Sequence, residues 1–213
     1  MIILGLTGSI GMGKTVAANV FRSCSVPVHD ADKVVHDLMS PGGQAFDEVA
    51  IRFRKAVENG KINRKRLGDI VFKDPDDLKR LESILHPLVR DHKRRFLGDA
   101  ARRRQPLVVL DVPLLYETEG QRQCDGVVTV SAPWFVQRAR VLSRPGMTPE
   151  KFAAILAKQM PDSEKRRRSD FVVQTGNGRL ESLCAIRKII QDVRTWRGNH
   201  WPLGPCLSGR AKG

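Results

Sequence analysis

A three-layer α/β fold, with helices on both faces of a parallel sheet, is predicted by three features of the sequence. Short apolar runs alternate with helix-length amphipathic segments along the 213 residues, the pattern of repeated strand–helix–strand units. The first apolar run, Ile2–Leu6, passes straight into a glycine-rich loop and then into a helical pattern from Lys14 to about Arg22. A composition that is 41% hydrophobic can bury one good core and a small excursion from it.

The loop reads Gly8-Ser9-Ile10-Gly11-Met12-Gly13-Lys14-Thr15. Its spacing is that of the phosphate-binding P-loop, G-x-x-x-x-G-K-[ST], in the strand–loop–helix setting the motif requires. Gly8, Gly11 and Gly13 let the backbone press N–H groups against phosphate oxygens. The helix start adds orphan N–H donors and a positive dipole end. Lys14 reaches the β- and γ-phosphates of ATP, and the Thr15 hydroxyl ligates Mg²⁺. Met12 and Val16 complete the nucleotide-binding stretch. A dinucleotide fingerprint starting at Gly11 would need glycine at position 16, which is Val16, so a Rossmann site is excluded. No Asn-Lys-x-Asp occurs, which argues against a GTPase.

The remaining elements follow in order. Val26–Asp30 is a short second strand; a right-handed crossover puts it parallel to the first, so Asp30-Ala31-Asp32 and the P-loop are expected on one crevice. Residues 33 to about 104 look helical throughout: Ser40-Pro41-Gly42-Gly43 ends one helix, Gln44 to about Glu58 forms the next, and Asn59-Gly60 is a turn. Asp74-Pro75-Asp76-Asp77 starts a helix. His86-Pro87 marks a break, followed by a basic helix. This stretch is too long for a plain crossover and reads as an inserted acceptor-binding subdomain. Leu107–Asp111, Gly126–Val130 and Phe171–Val173 are the third to fifth strands. Helices run from Pro133 to Leu142, within Ser143–Arg168, and from Leu180 to about Trp196. Residues 1–200 thus read as one P-loop domain: a core of 1–32 and 105–200, the insertion near 33–104 and, in the arginine-rich segment near 138–168, a lid of the kind that suits a small-molecule kinase. A frayed tail begins near Arg197 and covers 201–213.

A formal charge of +14 suits anionic partners. Four scattered cysteines without a C-x-x-C pair indicate a reducing compartment and no zinc site. The chain opens directly on strand and loop, and no apolar run nears the ~20 residues of a membrane span. A soluble cytoplasmic protein, a monomer or small homo-oligomer without membrane or nucleic-acid partners, is expected.

Further segments carry a resemblance. Leu6–Thr15, Asp30-Ala31-Asp32, Asn63-Arg64 before Leu67, Leu85-His86-Pro87-Leu88, Asp111-Val112-Pro113-Leu114-Leu115-Tyr116-Glu117, Gln137-Arg138 and Gln159 together resemble the dephospho-coenzyme A kinase family, from Gly5 to about Gly178. The resemblance implies a three-layer P-loop kinase that transfers the ATP γ-phosphate to the ribose 3′-hydroxyl of dephospho-CoA. It implies Asp32 as the base that accepts the hydroxyl proton, Arg64 and His86 on the acceptor side, and Glu117 at the acceptor pocket. Arg138, with Arg140 or Arg144 assisting, is expected to approach the transferring phosphoryl from the lid. Each residue also has a plainer reading. Asp32 is alternatively a helix cap, Asp30 a strand end or a support for Mg²⁺ water, and Asp111 a metal-side acid or a solvated strand end. His86 is alternatively a turn histidine, Tyr116 packing, and Arg64 and Arg138 solvated groups. The sequence departs from the family at Val16 and at Thr175-Gly176. Two rival functions remain: another P-loop kinase acting on a nucleoside monophosphate or small alcohol, and a basic nucleic-acid-binding ATPase. The second lacks an aromatic stacking platform, aromatic residues being only 6% of the chain.

Overall fold

The computed structural model describes residues 1–202. The chain opens on strand β1 (Ile2–Thr7), helix α1 (Lys14–Ser23) and strand β2 (Val28–Asp30). Helices α2 (Ala31–Leu38) and α3 (Phe46–Arg52) follow, then strands β3 (Val57–Glu58) and β4 (Lys61–Ile62), and helices α4 (Arg64–Val71) and α5 (Pro75–Arg102). Strands β5 (Leu107–Asp111) and β6 (Gly126–Ser131) lead to helices α6 (Trp134–Leu142), α7 (Pro149–Ala157) and α8 (Asp162–Arg168). Strand β7 (Phe171–Gln174) and helix α9 (Arg179–Asp192) complete it. Two compact units divide these elements: Met1–His29 with Ala100 onward, and Asp30–Asp99.

The first unit is the expected α/β core. Its sheet has the order β2-β5-β1-β6-β7, and β5, β1, β6 and β7 run parallel. Every residue of β1, β5 and β6 is buried, which explains why these strands read as unbroken apolar runs instead of alternating patterns. Leu4, Leu6, Val109, Val128, Val130 and Val173 form the core with Phe21 of α1 and Ile186 of α9. Because the strands are parallel, their C-terminal ends share one edge, and the register fixes what meets there: Leu6 lies opposite Asp111 and Thr7 opposite Thr129.

The opposite edge is closed by the segment after α9. Trp196 stacks on Phe171 with ring centroids 5.5 Å apart, and the Asn199 N–H donates to the Asp125 carboxylate at 2.6 Å. A Cβ on Gly198 would stand 2.2 Å from the Met1 carbonyl oxygen, so only glycine allows that approach. Residues 197–199 are therefore anchored, contrary to the expected fraying from Arg197; positions 203–213 of the expected tail lie outside the described residues.

The second unit packs Val34 and Leu38 of α2, Val49 of α3, Leu67 and Val71 of α4, and Leu85 of α5 into its own core. Two expectations fail in it. The unit is not all helical: β3 and β4 pair antiparallel, and α3 stops at Arg52, far short of Glu58. Asn59 (φ 48°) and Gly60 (φ 70°) both take left-handed backbone, the requirement of a two-residue hairpin loop. Nor does His86-Pro87 break the chain, because α5 runs 28 residues with Pro87 inside it. A helical proline costs about 3 kcal/mol, whereas burying one leucine side chain returns about 1.5–3 kcal/mol. Leu81 and Leu85 before the proline, and Leu88 and Val89 after it, all pack into this core, and their burial outweighs the lost hydrogen bond. Among the described residues no helix is long and apolar enough to cross a membrane.

Candidate active site

Where β1 ends, the loop 8–13 is built by turning its carbonyls back into the protein. The Ile10 carbonyl accepts from Gln137 Nε2 at 2.8 Å. The Met12 carbonyl accepts from Thr175 Oγ1 at 2.6 Å. The Ser9 carbonyl accepts from the Met12 N–H at 3.1 Å. In a planar trans peptide the following N–H points the opposite way, so the N–H groups of Gly11 and Gly13 face away from these supports. Gly13 (φ 86°) precedes α1 without a side-chain cap, which leaves the Lys14 and Thr15 N–H groups as orphan helix-start donors. Among the described residues no protein acceptor takes any of these four N–H groups. The result is a nest of donors at a positive dipole end. Beside it lies a depression of about 440 Å³ lined by Gly11, Gly13, Thr15, Arg140, Thr175 and Arg179.

Lys14 Nζ lies 2.5 Å from Asp111 Oδ1. Asp111 is 2% exposed, so the solvated strand-end reading of this residue is overturned: it is a buried acid facing the loop. The Thr15 side chain is exposed. Two oxygens of this kind suit Mg²⁺, a hard cation that takes one or two protein ligands and completes its shell with phosphate and water.

Around the loop, Arg140 donates to the Thr175 carbonyl at 2.7 Å and to its hydroxyl at 3.1 Å. It is committed to the loop's support, whereas Arg138, on the same helix, is exposed. Val16 is about one-third exposed in the first turn of α1. A Cβ on Gly8 would meet Val130 Cγ2 at 2.3 Å, so the first loop glycine serves close packing on β6.

The loop after β5 carries a buried ion pair. Glu117 Oε1 lies 2.9 Å from Lys165 Nζ and accepts from the Met160 N–H at 2.8 Å. Lys165 is fully buried. Glu117 Oε2 is buried without a hydrogen-bond partner among the described residues. Tyr116 hydrogen-bonds Ser169 at 2.9 Å, and burial pushes its phenol pKa up. Burial also pushes the Glu117 carboxyl up, but the hydrogen bonds from Lys165 and the Met160 N–H outweigh it and leave the pKa below the ordinary 4.5. A depressed acid contributes stability above its unfolded pKa and loses it as pH falls through the folded value. Lys165→Met should therefore lower the melting temperature at pH 7, by the equivalent of about 3 kcal/mol for a half-broken buried pair. The gap between variant and parent should narrow in melts below pH 4.5.

In the second unit, Asp30 caps α2 by accepting from the Lys33 N–H at 2.9 Å. The cap reading offered for Asp32 thus passes to Asp30. Asp32 sits in the first turn of α2 and is exposed. Arg64 opens α4 directly after its cap Asn63 and is exposed. His86 is exposed in mid-helix, so it is not a turn histidine.

Comparison with known proteins decides the family. The sequence pattern that defines the dephospho-CoA kinases matches residues 2–181. The chain belongs to the dephospho-CoA kinase family. A dephospho-CoA kinase from Mesorhizobium japonicum is 50% identical over 199 residues, covering 93% of this chain and 100% of the relative. One from Paramagnetospirillum magneticum is 57% identical over 166 residues, 78% of each chain. Among solved structures, TT1252 from Thermus thermophilus superposes with a TM-score of 0.78 at 36% identity, covering 90% of this chain and 96% of that one. The dephospho-CoA kinase of Campylobacter jejuni shares the fold, with a TM-score of 0.65 at 23% identity over 90% of this chain and 96% of its own. All residues singled out from the sequence, from Gly8 to Arg138, fall inside the span matched to the dephospho-CoA kinases. Three members of the site were not assigned roles from sequence: Thr175, noted only as a departure, and Gln137 and Gln159, quoted only as part of the resemblance. Their partners lie more than a hundred residues away, beyond what local pattern carries.

Proposed function

We propose that this dephospho-CoA kinase moves the γ-phosphoryl group of ATP to the ribose 3′-hydroxyl of dephospho-CoA, with Asp32 as the general base. The observation that carries the reading is the donor nest: the N–H groups of Gly11, Gly13, Lys14 and Thr15, held open by carbonyls tied elsewhere. Phosphoryl transfer asks the protein for positioning and charge neutralisation more than covalent work. The nest and Lys14 would hold the β- and γ-phosphates, and the neighbouring depression would take the nucleoside. Thr15 and Asp111 would hold Mg²⁺, which supplies charge neutralisation on the phosphates. Asp32, with an exposed carboxylate, orients the 3′-hydroxyl and accepts its proton as the new O–P bond forms and the bridging oxygen leaves with ADP. Arg138, exposed on α6, is the lid arginine that meets the transferring charge. Arg64 and His86 bind the acceptor, and Glu117 Oε2, buried without a partner among the described residues, receives an acceptor donor. The setting is cytoplasmic, with two small-molecule substrates and no membrane or nucleic acid.

A coupled assay of ADP release across a panel of acceptors tests this. Turnover with dephospho-CoA, and at least about a hundredfold lower kcat/KM with nucleoside monophosphates and small alcohols, is the expected result. Equal turnover with one of these would move the chain's reaction elsewhere.

A further inference from the structure

The peptide of Ile10 is gripped at both ends by side chains. Its N–H donates to Gln159 Oε1 at 3.1 Å, and its carbonyl accepts from Gln137 Nε2 at 2.8 Å. The backbone dictates the amide orientations: an N–H can only donate and a carbonyl only accept. Gln137 must therefore donate, and Gln159 must accept. Gln137 is 3% exposed on α6; Gln159 follows the end of α7 at Ala157. These two positions bracket residues 138–158, the part of the expected 138–168 lid that carries Arg138, Arg140 and Arg144. Both stems of that segment thus close on a single P-loop peptide. The neighbouring Gly11 is pinned in the same place, because a Cβ there would meet Val141 Cγ2 at 2.5 Å and the Gln137 carbonyl at 3.1 Å.

We propose that Gln137 and Gln159 are positioning residues that hold the Ile10 peptide so that the nest stays open for phosphate, and that couple nucleotide binding to the 138–158 segment. The inference deepens the kinase reading and rests on its ATP site, not on the identity of the acceptor. Turning the Ile10 carbonyl toward Gln137 is what aims the Gly11 N–H away from α6. Freeing that carbonyl would let the peptide flip and set an oxygen where a phosphate oxygen must go. The two glutamines are not equivalent: a carboxylate can replace Gln159, which only accepts, but cannot replace Gln137, which must donate.

The test is Mg·ATP binding by calorimetry to the full chain without acceptor, for Gln137→Glu, Gln159→Glu, Gln137→Met and Gln159→Met, with melting temperatures measured alongside. Both Glu variants add the same charge, and because position 137 is buried while 159 is half-buried, the melting temperatures separate the cost of burying that charge from the loss of the donor. Gln137→Glu should bind at least about tenfold more weakly than Gln159→Glu, and each Met variant about tenfold more weakly than the parent. Limited trypsin cleavage at Arg144 should be slowed by ATP in the parent, and much less in the double Met variant at saturating ATP. Equal affinities for the two Glu variants, or Met variants that bind ATP like the parent and differ only in melting temperature, would overturn the proposal. A parent that binds ATP but does not phosphorylate dephospho-CoA would instead count against the acceptor reading and leave the clamp standing.

Discussion

Asp32→Asn should keep its affinity for ATP within about twofold while kcat falls by about 10²–10⁴, the usual worth of a positioned general base. The asparagine preserves size and the hydrogen bond that orients a hydroxyl, but it cannot take the proton. Two structural facts make the variant informative. Asp32 is exposed in the first turn of α2, and the capping duty belongs to Asp30, so the change should leave folding untouched. Asp30→Asn is the matched control: asparagine caps as well as aspartate, and it should retain most activity. Steady-state kinetics with calorimetric ATP binding separate the outcomes. If both variants lose kcat equally, the base has not been identified; if neither does, positioning alone drives the reaction.

Lys14→Met is the second large effect, and it acts on two properties at once. Losing a preorganised cation at the transferring phosphate should lower kcat by about 10²–10³ or more. It also removes one partner of Asp111, whose side chain is 3% exposed and whose Oδ1 lies 2.5 Å from Lys14 Nζ. Breaking a buried pair by removing one partner costs about 3–5 kcal/mol, a drop of roughly 6–20 °C for a chain of this length. Adding Asp111→Asn removes the carboxylate charge that lost this ion pair, so the double variant should regain part of the melting temperature and none of the activity. A Lys14→Met variant that melts like the parent would mean that the ion pair contributes nothing to the fold.

How far the sequence could be read depended on the range of the interactions. The P-loop was legible because its parts are consecutive: Gly8, Gly11, Gly13, Lys14 and Thr15 sit within one strand–loop–helix unit, and the parallel sheet followed from buried apolar runs such as Leu107–Asp111. Asn59-Gly60 carried a hairpin signal, but strands of two residues are too short for any alternation to show. Pro87 misled because a local rule met a tertiary contact: the leucines on both sides of it are packed in a core that the local sequence does not display. The loop's supports were invisible for the same reason. Gln137, Gln159, Arg140 and Thr175 reach Ile10, Met12 and one another only after β6, α6 and β7 are in place. Arg140 and Arg138 are two residues apart on one helix, and only packing assigns one to the loop and leaves the other exposed.

The most direct measurement is the position of the new phosphate. Phosphorus NMR of the product formed from ATP and dephospho-CoA should show a single 3′-phosphomonoester on the ribose, made by the parent chain and formed at least about a hundredfold more slowly by Asp32→Asn. Phosphate on any other hydroxyl, or the same product at parental rate from Asp32→Asn, would contradict the account.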